Sequence, residues 1–162
     1  AASDVYKRQP DQIDVVVHPQ SLIHSMVQYA DGSIIAQLGS PDMRTPIAYS
    51  LGWPNRLDGH AERVDFTKFA NVSFEAPDLK RFPQLAYAYE TLRSKDAASI
   101  VLNAANEIAV EAFLNRQIGF LDIAKTCRTM LDRMVRPLPT SLEDVLELDR
   151  EARILTLEEL AL

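Results

Sequence analysis

The chain changes its hydrophobic rhythm about halfway along. Up to about residue 80 the apolar positions come in short runs or alternate; beyond that point they recur at helical spacing. Ile13 to Val17, "IDVVV", is a β-branched run of the kind that forms a buried strand. Ser25 to Tyr29 and Ser33 to Leu38 flank Asp31-Gly32, a strong hairpin signal. "GSPDM" follows as a loop, by its Gly, Ser, Pro and Asp content. Thr45 and Pro46 suit the N-cap and first position of a short helix, closed by Gly52 and Pro54. Phe66, Phe69, Val72 and Phe74 fit further extended structure between Asp65 and Glu75.

After "APD", Leu85, Ala88, Tyr89 and Leu92 predict a helix face behind Pro83. "ASIVLNAANEIAVEAFLNRQ" is apolar on most sides, so it should be the central helix of a bundle. Asn103, Asn106, Glu107 and Glu111 form its polar strip. Phe120, Ile123, Ala124, Cys127, Met130, Leu131 and Met134 predict a third amphipathic helix, which "PLP" interrupts. Ser141 with Asp144 reads as a loose capping-box helix start, and Thr156 with Glu159 as a stricter one. Strands first and helices afterwards give an α+β arrangement, with no internal repeat.

Composition narrows the function. The 162 residues suffice for one domain or two small ones. An apolar fraction of 47% and a charged fraction of 25% are those of a globular chain. A net charge of −6 with scattered basic residues argues against nucleic-acid binding. No apolar run approaches the roughly 20 residues of a membrane span. "AASDVYKRQ", residues 1–9, is unlike the rest. Asp4 to Gln9 reads like the translation of a transposon end used in sequencing libraries; the alternative is an ordinary disordered terminus. On the first reading natural sequence begins near Pro10 and the chain is a fragment.

"HPQSLIHSM", His18 to Met26, concentrates histidines and serines, yet matches no complete catalytic pattern. His18 and His24 are six residues apart, without the i, i+4 spacing of a helical zinc pair. His60, in "LDGHAE", reads as solvated. A Ser-His-Asp hydrolase needs groups facing each other from a fixed scaffold, and no G-x-S-x-G elbow is present. The five glycines are all isolated, so no dinucleotide-binding turn exists. Cys127, the one cysteine, excludes an internal disulfide and reads as a packed core thiol. Asn103, Asn106 and Glu107 read as hydrogen-bonding ties between neighbouring segments. For "GSPDMRTP", chemistry alone leaves a pocket lining and a plain connection equally open.

Taken together, "VVVHPQSLIHSMVQYADGSIIAQLGSPDMRTPIAYSLGWPNR", "LNAANEIAVEAFL" and "SLEDVLELDREAR" resemble the 1-deoxy-D-xylulose 5-phosphate reductoisomerase family, from about Pro10 to the C-terminus. The resemblance implies an enzyme of non-mevalonate isoprenoid biosynthesis. It rearranges and reduces its phosphosugar substrate to 2-C-methyl-D-erythritol 4-phosphate with NADPH and Mn2+ or Mg2+. It further implies a homodimer in the bacterial cytoplasm, with no nucleic-acid or membrane partner. Against the family plan, the cofactor domain, the acidic metal ligands and the main substrate-binding groups have no counterpart here. Residues 10–80 would be the remnant of the central catalytic β-sheet domain, and 81–162 the C-terminal α-helical bundle. Ser21, His24, Pro41 and Met43 match pocket-lining positions; no catalytic residue or metal ligand carries over. NADPH and metal are thus expected of the whole enzyme and not of this fragment. A stand-alone helical interaction module is the alternative.

Overall fold

The computed structural model describes residues 10–68, 71–94 and 96–162. The leader 1–9 and Phe69 lie outside these residues. The fold is α+β, in the order β1 (Ile23–Gln28), β2 (Ile34–Leu38), α1 (Arg44–Gly52), α2 (Pro83–Arg93), α3 (Ala98–Leu114), α4 (Phe120–Arg133) and α5 (Leu142–Glu159). It divides into two compact units, Val15–Pro77 and Asp78–Leu162, the latter joined by the segment ending at Asp14.

In the first unit β1 and β2 form an antiparallel pair around the Asp31-Gly32 turn. Gly32 takes φ +85°, a left-handed geometry that favours glycine. Asp31 accepts hydrogen bonds from both the amide and the hydroxyl of Ser33, at 2.9 and 2.6 Å. The register slips between Ile23 and Ser25, so His24 sits at a bulge. Such a bulge re-aims side chains at the strand end.

Three expectations for this unit need correction. Ile13 to Val17 is not a buried strand. Its one ladder contact among the described residues is the Val17–Glu75 bridge, and Val15, Val16 and Val17 are 41%, 46% and 43% exposed. A β-branched run becomes a strand only when neighbours pair along it. The helix α1 begins at Arg44, ahead of Thr45-Pro46, with Met43 in the N-cap position and no capping bond from it. Asp42, one residue further out, takes the capping role: its carboxylate accepts the Arg44 amide at 2.9 Å. The described residues between Asp65 and Glu75 are also mostly irregular, with one 3-10 turn at Phe66–Lys68 and the bridge at Glu75.

The second unit is a bundle centred on α3. Val101, Ala104 and Ala105 of α3 meet Cys127, Met130 and Leu131 of α4, Met134 just beyond it, and Ala152 of α5. Tyr87 of α2 packs on the same cluster. Alanines along α3 keep its surface low and admit neighbouring helices closely. Pro83 occupies the first turn of α2, as its fixed φ favours. The Ser141–Asp144 capping box forms: Ser141 Oγ accepts the Asp144 amide at 3.1 Å, and Asp144 accepts the Ser141 amide at 3.0 Å. Arg153 of α5 pairs with Glu107 of α3 and Asp149; Arg128 of α4 pairs with Glu90 of α2 and Asp132.

Here too some assignments shift. Thr156 starts no helix. It is fully buried inside α5, and its hydroxyl donates to the Ala152 carbonyl at 2.6 Å. Leu92 and Phe120, placed on inward faces by spacing, are exposed. Each sits in a terminal turn of its helix; Phe120 makes an edge contact with the Phe113 ring at 5.7 Å.

Candidate functional site

The hairpin brings the two candidate stretches together. Ile23 pairs with Leu38, so the residues before β1 lie opposite those after β2. The Gly39 amide donates to the Leu22 carbonyl at 3.0 Å, extending that pairing by one step. A Cβ placed on Gly39 would lie 4.0 Å from His24 Cε1, which puts the imidazole against the start of the "GSPDM" loop. Ser21 and His24 thus belong to the same edge of the molecule as Gly39, Ser40 and Pro41.

A shallow concavity of about 130 Å³ opens beside this edge. Gln20 and Leu22 line it from the first stretch, Ser40 and Pro41 from the second, and Glu62, Arg63, Asp65 and Lys68 from the loop that follows. Of the four candidate residues, Pro41 lines the concavity directly. Ser21 and His24 flank lining residues, whereas Met43, 71% exposed, faces outward at the start of α1. Glu62, Arg63, Asp65 and Lys68 were missed by sequence reasoning. No local pattern marks them, because the loop approaches the hairpin only through the fold.

Charges in the lining are mixed. Asp65 is held below the usual carboxylate range by the hydroxyl and amide of Thr67, which bond its Oδ1 at 2.6 and 3.0 Å. Near the loop, the Arg44 guanidinium lowers Asp42 in the same way. No hydrogen bond joins His24 to Ser21 or Ser25 among the described residues, so no nucleophile–base pair is assembled. The arrangement can bind and orient polar groups against an apolar floor of Leu22, Val64 and Pro41.

His18 makes different contacts. Its Nδ1 lies 2.8 Å from the Ser73 carbonyl oxygen, and its Nε2 accepts the Leu22 amide at 3.1 Å. The ring stacks on Phe74 at 4.8 Å. Both nitrogens are therefore committed to backbone. His60 is exposed beside Asp58. In the bundle, Gln84 donates to Asn106 and to the Cys127 thiol, and Asn103 to Glu107; these are ties between helices and within α3. Burial pushes the Cys127 thiol up.

Two groups implied by the resemblance find no seat here. Among the described residues no set of three or more His, Cys, Asp or Glu side chains is placed to hold a metal ion. The strand-to-helix connection from β2 to α1 has the Asp42 carboxylate on the first helical amide. A pyrophosphate would need that amide free and would be repelled by the carboxylate.

The molecule is thus an α+β segment with a mixed polar and apolar concavity and a bundle, without a nucleotide fold or metal cluster among its described residues. A family model described as the DXP reductoisomerase C-terminal domain matches residues 38–155. The 1-deoxy-D-xylulose 5-phosphate reductoisomerase of Zymomonas mobilis is 57% identical over 144 residues, covering 89% of this chain and 37% of that protein. The enzyme of Burkholderia multivorans is 54% identical over 151 residues, covering 93% and 38%. Among solved structures, the Z. mobilis reductoisomerase in complex with NADPH aligns with a TM-score of 0.88 at 52% identity, covering 98% of this chain and 42% of that one. A DOX-P reductoisomerase in complex with NADPH, fosmidomycin and magnesium aligns with a TM-score of 0.89 at 36% identity, covering 99% and 41%. The chain belongs to the 1-deoxy-D-xylulose 5-phosphate reductoisomerase family. It spans about two fifths of the length of the relatives it matches.

Proposed function

We propose that this chain is the C-terminal part of a 1-deoxy-D-xylulose 5-phosphate reductoisomerase. The whole enzyme rearranges and reduces its phosphosugar to 2-C-methyl-D-erythritol 4-phosphate with NADPH and Mn2+ or Mg2+, in bacterial cytoplasm. The observation that carries this reading is the alignment of 98% of the chain, at 52% identity, on the NADPH complex of the Z. mobilis enzyme. In this reading residues 10–80 complete the central catalytic and dimerisation domain, and 81–162 are the bundle domain. Ser21, His24, Pro41 and Met43 line the substrate and cofactor pocket, with His24 as an orienting group. The metal would be held by parts of the enzyme other than the described residues, among which no set of three or more His, Cys, Asp or Glu side chains is placed for it.

The same reading makes the enzyme a homodimer that takes no nucleic-acid or membrane partner. Val27 and Ile35, paired across the hairpin, and Ile34 on its other face are more than half exposed, apolar side chains that the rest of the catalytic domain or a second subunit would cover. No helix among the described residues is long and apolar enough to cross a membrane.

The test is a graft. Residues 10–162 replace the corresponding part of the Z. mobilis enzyme, and substrate-dependent NADPH oxidation is followed with manganese or magnesium. Turnover within about an order of magnitude of the parent is expected, and none from the 162-residue chain alone. A folded, dimeric graft without turnover would overturn the assignment.

A further inference from the structure

We propose that His18 is a positioning residue that fixes the turn carrying Ser21, and that it does so as the neutral Nδ1–H tautomer. This rests on the proposed function, in which Ser21 and His24 line the pocket.

Hydrogen-bond roles alone dictate the tautomer. The Ser73 carbonyl oxygen can only accept, so the Nδ1 at 2.8 Å from it must carry the proton. The Leu22 backbone N–H can only donate, so the Nε2 at 3.1 Å from it must be bare. One ring thereby ties the turn to the segment around Ser73. Phe74 holds the ring plane by stacking, and Gln20 adds a second tie, donating from Nε2 to Ser73 Oγ at 2.9 Å and accepting the Ser73 amide at 3.2 Å. The Val17–Glu75 bridge closes the same seam with reciprocal bonds of 2.9 Å.

The held geometry is not one Ser21 favours by itself. Its φ is +49°, a left-handed conformation that costs a non-glycine residue free energy and persists only when its surroundings enforce it. The Ser21 amide donates to the His18 carbonyl at 3.0 Å, closing a turn over Pro19 and Gln20. The next amide, Leu22, is the one the imidazole captures. His18 therefore grips both sides of the strained residue: its own carbonyl before, its ring nitrogen after. Leu22, 2% exposed, lines the concavity, and its carbonyl holds Gly39. A shift at Ser21 would propagate to both stretches of the edge.

Two substitutions separate the halves of this role. The longer amide introduced by His18→Gln can present an acceptor near the Nε2 position. The shorter amide of His18→Asn can keep a donor near Nδ1 and loses the acceptor for Leu22. In the active full-length graft, H18Q should keep kcat/KM within a few-fold. H18N should lose roughly ten- to hundredfold, mostly in kcat, as expected of misaligned reacting groups. The two variants should have similar melting temperatures. Nitrogen-15 NMR of the wild-type chain should show a protonated Nδ1 and a bare Nε2, with the Leu22 amide protected from exchange in wild type and H18Q but not in H18N. A ring protonated at Nε2, or equal kinetics and equal Leu22 protection in the two variants, would overturn the inference. An inactive wild-type graft with the expected tautomer and protection pattern would overturn the enzyme assignment instead and leave the backbone role of His18 standing.

Discussion

Met43 holds the N-cap position of α1 with 71% of its surface exposed, whereas Met130 is 0% exposed between α3, α4 and α5. The two positions should respond oppositely to truncation. Met130→Ala removes packed atoms and leaves a cavity, at a cost of about 2–5 kcal/mol. Met43→Ala removes little that is buried in this chain, so its cost should stay below about 1 kcal/mol. If Met43 lines the pocket as proposed, the same variant in the full-length graft should lower kcat/KM while leaving the melting temperature nearly unchanged. Thermal melts beside steady-state kinetics decide this. A large fall in melting temperature with unaltered kinetics would make Met43 a packing residue and remove it from the site.

At the scale of elements, the Ser141–Asp144 box is the clearest agreement between a local signature and a formed structure. Ser141→Ala should cost about 0.5–2 kcal/mol, the usual loss for an N-cap of this type. The pH dependence has a definite sign. Asp144 is held below its ordinary value by the Thr140 amide and hydroxyl, with Ser141 adding to the effect. A depressed carboxylate stabilises the fold above its unfolded pKa, and that contribution is lost as pH falls through the folded value. Asp144→Asn should therefore flatten the bundle's acid sensitivity below about pH 4, as read by circular dichroism at 222 nm. An unchanged acid transition would mean that this cap does not couple to unfolding. The neighbouring Thr156–Glu159 signature is the stricter match and yet starts no helix, because Ala152, Leu155 and Thr156 already continue the inner face of α5. A capping pattern is local, whereas burial overrides it from across the bundle. Helices and hairpin were legible in sequence because their determinants lie within a few residues: Asp31-Gly32 for the turn, spacing for the faces. Ile13 to Val17 was not, since a strand is defined by partners. Nor were Glu62, Arg63, Asp65 and Lys68, since a concavity is defined by segments far apart in the chain.

For the whole molecule, burial is unevenly distributed. Within Val15–Pro77, Leu22 is the one buried apolar residue described; the others, from Ala97 to Ala152, all lie in the helical unit. A fully buried Val, Leu, Ile, Phe or Met side chain contributes roughly 1.5–3 kcal/mol, so Val101, Ile123, Met130, Leu131 and Met134 give the bundle a reserve the hairpin unit lacks. Stability in a protein follows such local density of buried contacts, and proteases cut where local opening costs least. Limited proteolysis of the 162-residue chain should therefore cleave within Val15–Pro77 first, at exposed loops such as the one around His60. It should leave a helical fragment beginning between Asp78 and Pro83. Mass spectrometry of the surviving fragment, with its helical signal measured on heating, provides the check. In the graft, where the hairpin's exposed Val27, Ile34 and Ile35 would be covered, the same sites should become resistant. Early cuts inside α3 or α4 of the isolated chain would reverse the stability order derived from burial.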